Sequence, residues 1–225
     1  MTKKGLLWYL VSEAFLLCLI QAGKCLGWNV LVVQVLMYAA ILINTILAAH
    51  RFFRPGTDRK GAPDVYVAYA LCMTAAADFF LTLIGTDGSY LPGIILFCVV
   101  QMIYALYLRH TLKLLLVRVA LFAVCLLLFR QAGILDVTSA MGLLDISLLL
   151  VNAILSWTRK GARPPLLFRI GIVLFLCCDL SIALRSFTGG GLHDLIDFFV
   201  WIFYIPSQVA ITLSYLNGDR QEAQG

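Results

Sequence analysis

Eight apolar runs take up almost the whole chain, and they constrain what it can fold into more tightly than any motif does. They fall at about residues 6–21, 29–49, 64–85, 91–108, 112–129, 137–157, 166–187 and 195–216. Each is close to the ~20 residues that cross a bilayer as a helix. With 62% hydrophobic and 13% charged residues among 225, little is left to cover a soluble core. The expected fold is all-α: a polytopic membrane bundle of eight transmembrane helices forming a single domain over 1–225.

Charge supports the same division. Lys3, Lys4, Arg51, Arg54, Arg59, Lys60, Arg109, Lys113, Arg159, Lys160, Arg163, Arg169 and Arg220 fall on the side of the N-terminus, against Lys24, Arg130 and Arg185 opposite. By the positive-inside rule both termini are expected to be cytoplasmic, in a multi-pass protein of the cell membrane. The net charge of +5 then faces anionic membrane lipid rather than nucleic acid. Lys3 and Lys4 before an apolar run resemble a secretory leader, but Glu13 interrupts the run and no small-x-small site closes it, so the first helix is expected to be retained. The seven cysteines have no C-x-x-C or Cys/His spacing and read as packing residues.

Against this background the polar residues inside the spans stand out. Asp78 sits in an otherwise uncharged run, where an unpaired carboxylate costs roughly 2.5 to 3.5 kcal/mol. Thr74, Ala75, Asp78, Thr82 and Gly85 recur at helical spacing, so Asp78 is expected to face protein. The fourth run aligns Gly93, Phe97, Gln101 and Tyr104, the sixth Met141, Asp145 and Asn152, the seventh Gly171, Phe175, Asp179 and Ala183, and the eighth Asp197, Tyr204 and Gln208 with Pro206 close by. Counted from the span ends, Asp78, Asp145 and Asp179 lie roughly 10 to 12 Å deep on one side, with Gln101 and Gln208 slightly deeper. They are expected to line one cavity. Glu13 is open to three readings: a site carboxylate, a partner for a base, or a neutral hydrogen-bonding group. Gln34 and Asn44 read as helix-bridging amides, the basic loop at 50–63 as a surface anchor, and Arg118 as snorkelling. An aspartate, a glycine-containing turn, and then a glutamine near a tyrosine recur in runs 3–4 and 7–8, a weak sign of a parallel repeat.

The chain resembles the YhhN-type lysoplasmalogenase family of eight-helix membrane proteins. The resemblance rests on Asp78, on Gly93, Phe97, Gln101 and Tyr104, on Gly171, Phe175 and Asp179, and on Tyr204 and Gln208. It departs from the family pattern in carrying Gln101 for a histidine and Cys178 for a serine, and in lacking an early lysine-proline pair. The resemblance implies hydrolysis of the vinyl ether of a lysoplasmalogen, a lysophospholipid substrate, to a fatty aldehyde and a glycerophospho-base, with no metal and no cofactor. Protonation of the double-bond carbon distal to oxygen gives an oxocarbenium-like cation that water captures, the logic of paired carboxyls in glycoside hydrolysis. Asp78 and Asp179 are the expected catalytic pair, within reach of one another. Gln101, Tyr104, Asp145, Tyr204 and Gln208 are the expected substrate-binding groups.

No H-E-x-x-H or G-x-S-x-G occurs, and His50, His110 and His193 lie at span ends, so zinc-protease and Ser-His-Asp chemistry have no support. A proton-coupled transporter or lipid carrier using the same aspartates is the alternative. A structural partner whose polar groups only bridge helices is a third reading. An enzyme releases aldehyde in detergent, whereas a carrier moves solute across a sealed bilayer.

Overall fold

Eight helices long and apolar enough to cross a membrane follow one another, with no strand among the described residues. The computed structural model describes residues 2–53, 65–109, 111–131, 133, 135–159 and 164–217. Most of the basic loop, with Arg54, Arg59 and Lys60, lies outside them, as do His110, Lys160, Arg163 and Arg220. The helices are α1 (Lys3–Cys25), α2 (Val30–Phe52), α3 (Val65–Asp78), α4 (Asp87–Tyr107), α5 (Leu112–Gln131), α6 (Val137–Thr158), α7 (Leu166–Arg185) and α8 (Gly190–Leu216), and α3 runs on as a π-helical segment, Phe79–Ile84.

Local chemistry sets the ends. The side chain of Thr2 accepts from Gly5 N–H, and that of Asn29 from Leu31 N–H, satisfying donors at the starts of α1 and α2. Asp136 caps α6, and the Ser139 backbone N–H bonded to it holds its carboxyl below the usual carboxylate range. α4 begins at Asp87 rather than at 91, because Ser89 Oγ accepts from Thr86 N–H at 2.9 Å and closes a first helical turn. α8 begins at Gly190 rather than 195, through a polar stretch containing His193 and Asp194 that apolar counting passes over.

Six helices close a ring in the order α2, α3, α4, α6, α7, α8, with α8 returning to α2. α1 packs outside on α2 and α8, and α5 packs on α6, with Phe129 also meeting Phe187 just past α7. Exchanging α1–α4 for α5–α8 largely preserves this order: in each half the first helix is peripheral, the third and fourth pair most extensively, and the fourth meets the second helix of the other half. That agrees with the parallel repeat suggested by the sequence. The bundle is apolar outside as well as in. On α5 alone Leu116, Val117, Val119, Val124, Leu127 and Leu128 are each more than half exposed, which suits lipid and not water.

Glycines permit the closest approaches. A Cβ on Gly171 would lie 2.6 Å from Ile211 Cγ1 and 2.9 Å from the Ser207 carbonyl oxygen, so α7 and α8 meet almost backbone to backbone. Gly93 similarly admits Leu81 between α4 and the π segment.

Asn44 bridges α1 and α2 as expected. It donates to Glu13 Oε1 at 2.9 Å and accepts from the Tyr9 hydroxyl at 2.5 Å, with Glu13 3% exposed. Replacing Asn44 with alanine strands both partners, with an expected loss of about 1 to 2 kcal/mol measurable by unfolding in detergent.

Arg118 does not snorkel. It is 2% exposed and donates through Nη2 to Asn152 Oδ1 at 2.6 Å, leaving Nε and Nη1 unpartnered. Its inward turn follows from that buried acceptor on the one helix α5 packs against. The cysteines are all unpaired, but only Cys98 and Cys178 are buried, so packing accounts for these two, while Cys18, Cys25 and Cys72 are exposed.

Candidate functional site

Asp78 is the last residue of α3 before the backbone widens. The π segment Phe79–Ile84 closes with Gly85 N–H donating to the Phe80 carbonyl, and Gly85 takes the left-handed φ of 58° that ends the segment. Single-turn π segments occur preferentially at functional sites, since the extra residue per turn re-aims neighbouring side chains. Asp78 is 4% exposed and accepts a hydrogen bond from the Tyr204 hydroxyl of α8.

The carboxyls of Asp145 of α6 and Asp179 of α7 lie near enough to interact with one another. An ionised carboxylate is only an acceptor, so a hydrogen bond between the two requires a proton on one of them. Asp145 Oδ1 and Asp179 Oδ2 are enclosed and have no partner. Asp78 is near enough for its charge to bear on Asp179. The three aspartates therefore come together: Asp78 and Asp145 both lie near Asp179, and Asp78 is held by Tyr204. Spacing along single helices gives each side chain a face but does not say which neighbour it meets.

Aromatic rings wall this cluster. Phe175 lies edge-on to Phe97 at 5.6 Å and to Tyr204 at 5.7 Å, and Trp201 packs against Tyr204 at 5.6 Å. The expected stripes of α4 and α7 thus meet through Phe97 and Phe175. Replacing Tyr204 with phenylalanine keeps these ring contacts and removes only the donor to Asp78. We expect turnover to fall tenfold or more, with the melting temperature nearly unchanged, from rate and unfolding measurements on the same preparation.

Gln101 does not lie just below the carboxyls. Gln101 is fully buried, and its backbone carbonyl accepts from Asn152 Nδ2 at 2.9 Å, with its side-chain Oε1 at 3.3 Å. Asn152 is seven residues, roughly 10 Å, further along α6 than Asp145. Gln101 therefore belongs to a second layer, in which Arg118 holds Asn152 and Asn152 holds Gln101. Gln101 Nε2 and the Tyr104 hydroxyl are buried without partners, and Tyr104 packs against Phe168 at 5.5 Å. Gln208 is 1% exposed, reaches only Ser207 Oγ at 3.4 Å, and leaves Oε1 unpartnered. The site residues thus split into an acidic layer and an amide–guanidinium layer.

Glu13 lies elsewhere. It borders a cavity of about 310 Å³ on the α1 side of the bundle, lined also by Leu10, Leu17, Leu167, Pro206 and Leu213. Sequence reasoning also missed the ion cluster at the end of the bundle away from the termini, where Asp197 accepts from both Lys24 and Arg185. Its members are 173 and 12 residues from Asp197 in sequence, so no local pattern announces it.

The model of the YhhN family matches residues 34–215, which include every aspartate, amide and tyrosine of both layers and leave α1 outside. No curated protein and no solved structure matches the chain. The family match runs from α2 to the end of α8, well over half the chain, and the protein belongs to the YhhN family.

Proposed function

We propose that this multi-pass membrane protein hydrolyses the vinyl ether of a lysoplasmalogen, releasing a fatty aldehyde and a glycerophospho-base. The observation that carries the reading is the juxtaposition of the carboxyls of Asp145 and Asp179 with Asp78 close by. Vinyl-ether hydrolysis needs one acid proton and a nearby negative charge, and needs them away from bulk water. The protonated member of the pair gives its proton to the double-bond carbon distal to oxygen. The positive charge that develops on the carbon next to oxygen is stabilised by the carboxylates. Water adds to that carbon and loses a proton to a carboxylate, which restores the acid. The hemiacetal hydroxyl then gives up its proton to a carboxylate as the bond to the glycerol oxygen breaks, that oxygen takes up a proton from the acid, and the aldehyde leaves.

Asp78 and Asp179 keep the catalytic roles expected of them, and Asp145 joins Asp179 as the other half of the acid. Tyr204 orients Asp78. Gln101, Tyr104 and Gln208, with unpartnered buried polar atoms, would bind substrate or water. Family membership agrees with a hydrolase. The charge asymmetry supports cytoplasmic termini in the cell membrane. The test is incubation of purified protein with choline and ethanolamine lysoplasmalogens and measurement of fatty aldehyde.

The repeated packing order favours a second reading, a proton-coupled carrier in which the same carboxyls titrate as the halves rock. It predicts no aldehyde in detergent and proton-linked lipid movement in sealed vesicles.

A further inference from the structure

Arg185 ends α7, Lys24 lies at the end of α1, and Asp197 stands between them, each only part-exposed at 35%, 23% and 23%. One carboxylate is shared by two cations at the membrane edge. From Asp197 a single stripe of α8 leads inward, through Trp201 to Tyr204. Lys24 Nζ sits 5.9 Å from the Trp201 ring, Trp201 packs on Tyr204, and Tyr204 bonds Asp78. The basic cluster and the acidic layer are thus two ends of one wall.

We propose that Lys24 and Arg185, set beside Asp197, bind the phosphate of a single-chain phospholipid that enters from the leaflet facing away from the termini. This rests on the lysoplasmalogen reading of the acidic layer and adds the headgroup site and the leaflet. The geometry is that of an amphiphile. Asp197 lies seven residues before Tyr204, which bonds Asp78, and Arg185 six after Asp179, so the cluster stands roughly 9 to 10.5 Å above the acidic layer. In a 1-alkenyl glycerophospholipid the phosphorus and the vinyl ether are roughly 7 Å apart along single bonds of about 1.5 Å, and a charge-assisted contact adds about 3 Å. A phosphate on the cluster places the vinyl ether at the depth of Asp179 with its tail pointing to the membrane centre. Basic pockets between transmembrane helices are known binders of lipid headgroups. The buried cations among the described residues, Arg51 and Arg118, are on the termini side, where a bound headgroup would send the tail the wrong way.

The test is binding to purified full-length protein of a non-hydrolysable 1-O-alkyl glycerophosphocholine and of an uncharged 1-O-alkylglycerol with the same tail. Arg185→Gln is expected to weaken the phospholipid about tenfold, the loss of one charge-assisted hydrogen bond, and to leave the alkylglycerol within twofold. Arg185→Lys should keep phospholipid binding within about threefold, and Lys24→Gln should repeat the selective loss if Arg185→Gln does not fold. Inorganic phosphate at millimolar concentration should not displace the lipid. Equal weakening of both ligands would make the cluster a helix staple and overturn the proposal. Unchanged binding of both, or displacement by inorganic phosphate, would overturn it as well. Because binding is read without turnover, headgroup selectivity in a protein that releases no aldehyde would refute the hydrolase and leave this site standing.

Discussion

Replacing Asp179 with asparagine is expected to lower aldehyde release by about 10²- to 10⁴-fold, the usual contribution of a general acid–base group. An amide there keeps the shape and can donate to Asp145, but it cannot supply an acidic proton. The bundle should survive the change while the chemistry does not. Asp145→Asn is expected to act in the same way. The double variant should be little worse than either single one, because groups that share one proton act as a unit. Initial rates on purified protein, with unfolding temperature as the control, measure all three. If the carboxyls only held helices together, each change would be mild, since amides bridge helices equally well.

Replacing Gly171 with leucine is expected to abolish the folded bundle rather than tune it. Even a Cβ meets the Ser207 carbonyl at 2.9 Å and Ile211 N at 3.1 Å, backbone atoms that cannot turn aside. Overpacking of well-fitted interiors costs about 1 to 3 kcal/mol and more where nothing can relax. The α7–α8 pairing is also what sets Asp179 beside Tyr204, so activity should be lost in any fraction that remains folded. Gly142 provides the contrast: a Cβ there meets nothing within 4 Å, and Gly142→Ala should be neutral or slightly stabilising. Thermal unfolding and monodispersity in detergent distinguish the two.

The helices were legible because each depends on one local property, an apolar run of membrane length. Their ends were less so. α4 and α8 begin at Asp87 and Gly190 because capping groups and polar turns extend a helix past its apolar part. The π segment after Asp78 left no trace in the sequence, since periodicity assumes the α-helical turn that the segment departs from. Site residues were legible one helix at a time: Asp78, Asp145, Asp179, Gln101 and Gln208 all turn towards the bundle interior. Partnership was not, because it depends on how six helices close into a ring. That closure brings Asp145 beside Asp179, gives Asp78 to Tyr204, and brings Gln101 down to the level of Asn152. Arg118 turned inward for the same reason: its acceptor is on another helix.

Delivery of a carboxyl proton to carbon is the central claim, and solvent deuterium reads it most directly. Purified protein would be given a lysoplasmalogen in D₂O, the aldehyde reduced as it forms to stop exchange, and the alcohol analysed by mass spectrometry. The account predicts one deuterium on the carbon next to the former carbonyl in the wild-type product, and loss of that product with Asp179→Asn. Aldehyde without that deuterium, or undiminished deuterated product from Asp179→Asn, would contradict it.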